Sequence, residues 1–275
     1  MSKPAPAPAA SLEVAAAVPN YEVKLFLDAT KVLDLELKPS KAADRAFGLK
    51  HPSRTIVMQF LDAPRASKDE EKRQLDAAGW NIRLRRFDDT NELELSYKRR
   101  YKIEPGQLES VLNAAIADGF SMNEHDYQAQ VEWGMERETL SFTNEKPVEA
   151  SVTSRLELPD LEKSRELAIQ RIPKKLDRAK HPGWATGVLA TAKLYGPVLG
   201  KRWEGDWRTL KLSFEVWLIR EKDQPGFTPV VELSFKKNKQ EKAESFREEL
   251  MTLVRDQGWL LNTDVLKTAM ILDRY

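Results

Sequence analysis

The chain has 275 residues, 41% of them hydrophobic, with no cysteine and 44 basic against 43 acidic side chains, a net charge of +1. This composition excludes disulfides, thiolate nucleophiles and zinc–cysteine sites. It argues against a broad nucleic-acid-binding face but leaves room for a local basic pocket. Residues 1–19, with Ser2-Lys-Pro-Ala-Pro-Ala-Pro-Ala-Ala10, lack the continuous apolar core of a signal peptide and are expected to be a mobile Pro/Ala leader ahead of one domain at 20–275. No apolar run approaches the length that crosses a bilayer, so a soluble cytoplasmic protein with no membrane partner is expected. His51, His125 and His181 show no metal or triad spacing. Any metal site would be built from carboxylates, which suit magnesium or manganese.

In chain order, Tyr21 to Leu27 alternates as a strand, with Glu22, Lys24 and Phe26 on one face. A helical or loop region through Lys41–Ala46 follows, then a strand at Thr55–Leu61 and a charged loop or helix at Arg65–Arg73. Asn81 to Phe87 and Glu92 to Tyr101 form a hairpin around the turn-forming run Asp88-Asp-Thr-Asn91. Its charged face carries Asn81, Arg83 and Arg85 on one strand, and Glu92, Glu94, Ser96, Lys98 and Arg100 on the other. Helical spacing over Gln107–Asp118 is stopped by Gly119. Tyr127–Trp133 is another strand, with Gln128, Gln130 and Glu132 on one face, and Thr139–Phe142 is a short pairing segment.

Leu158 to about Arg178 reads as helix interrupted near Pro173. A strand around Lys193 and Tyr195 breaks at Gly196-Pro197 before Lys201 and Arg202. Gly196 to Arg202 superficially resembles a P-loop but is one residue short and lacks Ser or Thr after Lys201, so it is expected to be a turn. Leu210–Ile219 alternates most clearly, with Lys211, Ser213, Glu215 and Trp217 opposite Leu212, Phe214, Val216 and Leu218. Val230–Lys236 repeats the scheme with Glu232, Ser234 and Lys236. An amphipathic helix over Lys239–Asp256 ends at Gly258, and the tail Asp264–Tyr275 is ambiguous.

The sum is about eight strands and three substantial helices. Helices need the apolar strand faces to pack on, so the charged faces must turn inward and a closed barrel would enclose a polar lumen. The alternative is an open sheet whose salt-bridged faces meet water. Lys24, Arg83, Arg85, Lys98, Lys193, Arg202 and Lys236 would supply cations to the lumen. Glu22, Glu94, Glu132, Glu215 and Glu232 would supply carboxylates. Converging guanidinium and ammonium groups suit a polyphosphate, and clustered carboxylates suit a divalent cation. Trp217 shares the lumen face and could stack on a ligand ring, whereas Trp203 and Trp207 are expected to pack.

Glu22-Val-Lys24, Arg83-Leu-Arg85, Lys98, Glu232 with Lys236, and the segment Phe60-Leu-Asp62-Ala-Pro64 together resemble the CYTH superfamily, the triphosphate tunnel metalloenzymes. The resemblance spans about residues 20–240. It implies an α+β fold, an eight-stranded antiparallel β-barrel with a polar lumen and helices outside. It further implies a phosphohydrolase acting on a triphosphate-bearing substrate with magnesium or manganese held by Glu22, Glu215 and Glu232. In that scheme all five glutamates serve the metal or the attacking water, while Lys24, Arg83, Arg85, Lys98, Lys193, Arg202, Lys236 and Trp217 hold the substrate. The partner would be a phosphorylated small molecule or nucleotide, with RNA among the candidates. The chain departs from the family at its opening motif, where Asn20 replaces the first carboxylate, and at Gln130, Ser213 and Val230, which thin the later pairs. These departures motivate two alternatives: a metal-independent enzyme for another anionic, nucleotide- or tRNA-linked substrate, and a non-catalytic binder of polyphosphate or RNA ends.

Overall fold

A computed structural model describes residues 20–275 apart from 66, 68–71, 123, 150–154, 265 and 266. The Pro/Ala leader expected at 1–19, and most of the charged segment within Arg65–Arg73, lie outside the described residues.

Nine strands among these residues close into a barrel: β1 (Tyr21–Leu27), β2 (Arg54–Asp62), β3 (Trp80–Phe87), β4 (Glu92–Ile103), β5 (Gln128–Trp133), β6 (Glu138–Glu149), β7 (Lys193–Trp207), β8 (Leu210–Arg220) and β9 (Phe227–Lys237). Around the barrel the order is β1-β5-β6-β4-β3-β2-β7-β8-β9, with β9 pairing back onto β1. The count is nine rather than the expected eight, and the barrel is not wholly antiparallel. β1 and β5 run parallel, Tyr21 facing Val131 and Val23 facing Trp133. That short parallel contact closes the ring between strands far apart in sequence.

Alternation explains why the barrel is polar inside. Outward positions such as Val23, Leu25, Leu84, Leu95, Leu212 and Leu233 are fully buried under helices, each large apolar side chain contributing roughly 1.5–3 kcal/mol. The covering helices are α1 (Ala29–Val32), α2 (Lys41–Phe47), α3 (Gln74–Ala77), α4 (Leu108–Ala117), α5 (Leu161–Gln170), α6 (Lys174–Asp177), α7 (Trp184–Ala190) and α8 (Gln240–Asp256). Their ends follow local chemistry. The Ser40 hydroxyl accepts from the Ala43 amide to start α2, Gly48 takes the left-handed conformation that ends it, and the Asp160 carboxylate accepts from the Lys163 amide to start α5. Phe47 packs on Phe214 and Trp259, Phe246 of α8 on Phe235, and the Tyr97 hydroxyl donates to the Ala168 carbonyl at 2.7 Å. Trp203 and Trp207 are buried in this outer shell, as expected.

Three sequence expectations change. β7 runs unbroken through Gly196-Pro197, because a register irregularity opposite Met58 and Phe60 absorbs the bend. Gly196, at φ 130, fits there because a side chain would press on the Met58 carbonyl and Gln59 at 3.0–3.1 Å. Thr139–Phe142 belongs to a twelve-residue strand, β6. The ambiguous tail forms a ninth helix, α9 (Lys267–Arg274), which does not pack on the outside of the barrel. Ile271 and Leu272 join a second apolar cluster made of lumen-facing residues, among them Phe26, Met58, Phe60, Phe87, Trp217 and Val230. The tail therefore plugs one end of the barrel and gives the tunnel an apolar floor.

Candidate active site: a charged tunnel

Above that floor lies a cavity of about 570 Å³. Ten lysines and arginines and five glutamates line it, a surplus of positive charge in a chain that is almost neutral. Three ion-paired groups organise the wall.

The first is built on β1, β4 and β5. Glu132 is buried and engages the Lys98 ammonium, with Lys24 at 3.5 Å and Arg100 at 3.6 Å. Glu22 sits 2.8 Å from Lys24, and accepts from the Gln130 amide at 2.6 Å. Burial alone would push the Glu132 carboxyl up, but Lys24, Lys98 and Arg100 outweigh it and hold the group well below the usual carboxylate range. Lys24 is driven the other way. Burial works against its charge, yet Glu132 and Glu22 raise its affinity for the proton above the ordinary lysine value. Lys98 fares differently: burial, helped by Arg100 and Lys24, outweighs Glu132 and brings the ammonium down to about 8.

The second group is on β3, β4 and β6. Arg85 donates its Nε to Glu94 at 2.7 Å, and Glu145 lies 3.6 Å from Arg85 and 3.8 Å from Arg83. Arg83 has no closer acidic contact, and its buried Nε lacks a hydrogen-bond partner among the described residues. Burial and the neighbouring Arg85 bring its guanidinium down to about 10. Phe87 beneath this group carries the Arg54, Arg85 and Arg202 guanidiniums over its ring at 4.3, 4.8 and 5.7 Å, a cation–π platform that orders the arginines.

The third group joins β7, β8, β9 and α9. Glu215 and Glu232 face each other in register. Glu215 accepts from Arg202 Nε at 2.8 Å, from the Trp217 indole at 2.7 Å and from Lys267 at 2.9 Å; Lys267 also lies 3.1 Å from Glu232. Burial opposes the Glu215 charge, but Lys267 and Arg202 hold its carboxyl well below the ordinary value. Burial, with Glu215 opposite, raises that of Glu232 despite Lys267.

No family model matches the sequence, and no curated protein does. Solved structures do match. A protein from Hippeastrum, described as an assigned adenylyl cyclase with a dominant triphosphatase activity, is 14% identical with a TM-score of 0.51, over 92% of this chain and 99% of that one. An assigned adenylate cyclase from Bacillus halodurans is 10% identical with a TM-score of 0.49, over 91% and 98%. The PH1012 protein of Pyrococcus horikoshii is 13% identical with a TM-score of 0.43, over 93% and 99%. The chain shares the fold of the Hippeastrum protein, as the CYTH resemblance of its sequence led one to expect. At such identities the likeness concerns the fold, and chemistry must be argued from the site.

The tunnel brings together most of the residues singled out in the sequence. Glu22, Lys24, Arg83, Arg85, Lys98, Arg202, Glu215, Trp217, Glu232 and Lys236 all line the main cavity. Glu132 reaches an adjoining cavity of about 80 Å³ beside the parallel β1–β5 contact, which shares Lys24, Arg100, Glu232 and Lys267 with the main one. Glu94 is drawn off as the partner of Arg85. Lys193 is not part of the tunnel: it is exposed where β7 begins, opposite Asp62 at the end of β2. Several charged lining residues were not among the candidates, and two of them, Arg100 and Lys267, bear on the ion-paired groups above. Arg100 shares the Lys98 face by simple alternation, which was signal enough, whereas Lys267 comes from the tail and had no strand pattern to mark it.

The CYTH resemblance implies magnesium or manganese on Glu22, Glu215 and Glu232, and the residues present do not fit it. Glu22 faces Lys236 in register, four residues along β9 from Glu232, and is engaged by Lys24 and Gln130. Glu215 and Glu232 share Lys267. Among the described residues no three His, Cys, Asp or Glu side chains cluster as a metal would require. The wall instead offers ammonium and guanidinium donors to an anion, with its carboxylates serving to hold them in place.

Proposed function

We propose that the protein binds a triphosphate-bearing ligand in this tunnel directly through its basic side chains, Arg83, Arg85, Lys98, Arg202 and Lys236 forming the clamp with Lys24. The observation that carries this reading is Arg83: a half-buried guanidinium held only by a long 3.8 Å contact to Glu145, with a buried, unpartnered Nε, in a lumen already rich in positive charge. A guanidinium so weakly paired in a largely enclosed position is costly, and an incoming phosphate supplies the missing acceptor with charge-assisted hydrogen bonds. The cavity volume accommodates a polyphosphate chain, and the apolar floor bars the far end, so the ligand enters from the mouth that carries Lys211 and Lys236.

A second reading, metal-dependent hydrolysis of the same ligand class, is favoured by the fold shared with the Hippeastrum protein. The two separate cleanly. Calorimetric titration with tripolyphosphate in EDTA gives binding under the first reading, and Arg83→Ala weakens it by roughly ten- to a hundredfold, the value of one charged hydrogen bond. Equal affinity in a folded Arg83→Ala variant sinks the clamp. Phosphate release from tripolyphosphate or nucleoside triphosphates that appears with manganese and vanishes with EDTA favours the second reading.

A further inference from the structure

We propose that Lys267 is a built-in cation that takes the place of a divalent metal on the Glu215–Glu232 pair, and that removing this one side chain turns the pair into a divalent-cation site. The inference concerns the cation on these carboxylates, whichever anion the tunnel takes.

Two glutamates facing each other across neighbouring strands in a nearly dry lumen repel, and need a cation between them. Here their side chains are 5% and 6% exposed, and the cation is the Lys267 ammonium, itself 18% exposed. It bonds Oε2 of Glu215 at 2.9 Å and Oε2 of Glu232 at 3.1 Å, and lies 4.6 Å from the centre of the Trp217 ring. One oxygen from each carboxylate is thus already turned towards a common point. An ammonium satisfies that point with one charge and directed hydrogen bonds, where a hard divalent ion would use the same oxygens and complete its shell with water.

The helix that delivers Lys267 is fastened at both ends. Before it, the Asp264 carboxylate accepts from the backbone amides of Met135, Glu136 and Arg137 at 2.8, 2.8 and 2.6 Å. At its C-terminal end, the Tyr275 hydroxyl accepts from the Arg220 amide at 3.0 Å, Asp273 pairs with Lys222 at 2.8 Å, and Arg274 donates to the Arg220 carbonyl at 3.2 Å. Ile271 and Leu272 bury between those anchors. The ammonium is therefore positioned by the fold, as a bound ion would be by its ligands.

The test titrates manganese into the full-length protein with no phosphate compound present, reading free Mn²⁺ by electron paramagnetic resonance and stability by thermal melting. Wild type and Lys267→Arg should bind no manganese at this pair. Lys267→Met should bind it at least about tenfold more tightly than wild type and melt higher with it, and Lys267→Met/Glu232→Gln should lose both effects. Manganese bound by wild type and released by Glu232→Gln overturns the proposal, as does a folded Lys267→Met variant that binds no better than wild type. A Lys267→Met variant that folds only with manganese supports it, and one that fails to fold with or without manganese counts against it. These outcomes leave the anion-clamp reading untouched, since that reading stands or falls on tripolyphosphate binding in EDTA.

Discussion

Lys98 offers a test in which proton and ligand binding are linked. Its ammonium sits between Glu132, Lys24 and Arg100, and burial brings it down to about 8. In the free protein at pH 8 roughly half of the molecules therefore lack this charge, against about a tenth at pH 7. A polyphosphate entering the tunnel favours the charged form, so binding at pH 8 should take up about half a proton at Lys98. Calorimetry in two buffers of different ionisation enthalpy measures that uptake. Subtracting the value for Lys98→Met removes the ligand's own proton changes. Affinity should weaken as pH rises through 8 in wild type and do so less in the variant, which should also bind roughly ten- to a hundredfold more weakly at pH 7. For folding the sign is opposite to that of a lysine raised by its partner. The folded protein holds this proton less tightly than the unfolded chain, so burying the charged form costs stability below pH 8, and that cost is relieved as pH rises towards the unfolded lysine value. Equal proton uptake by wild type and Lys98→Met would refute this assignment.

Other substitutions probe the supports of the site. Gly200 leaves room for the Trp217 ring, which a side chain there would meet at 2.5–2.6 Å. Gly200→Ala should cost about 1–3 kcal/mol in urea unfolding and shift tryptophan fluorescence as the ring leaves Glu215; an unchanged spectrum would contradict this packing. Tyr97→Phe removes the buried donor to the Ala168 carbonyl and should cost about 1–3 kcal/mol without altering tripolyphosphate affinity. Altered affinity at constant stability would mean that the outer shell and the lumen are coupled.

The barrel was legible wherever period-two alternation ran undisturbed. In β3, β4, β8 and β9 polar and apolar side chains alternate over most of each strand, with exceptions such as Arg86, Arg99, Trp217 and Val230, so most of the lumen face could be read before any pairing was known. Lys193 was misassigned for a physical reason. The irregularity near Gly196 breaks the strict alternation of β7, and the strand begins outside the tunnel. The parallel pairing of β1 with β5 is a long-range closure with no local signature. Lys267 lies in a tail where Ala269-Met-Ile-Leu272 signals burial but not where, and a lone lysine on such a helix ordinarily reads as solvated. The carboxylate pair was visible in Glu215 and Glu232; the ammonium that neutralises it was visible only once the tail had been placed inside the barrel.

The most direct measurement is a crystal structure of EDTA-treated protein with tripolyphosphate. Phosphate density within hydrogen-bond distance of Arg83 and Lys98, with Lys267 still seated on Glu215 and Glu232, is the expected result. An empty lumen at saturating ligand, or phosphate bound only when a metal has displaced Lys267 from the two glutamates, would contradict it.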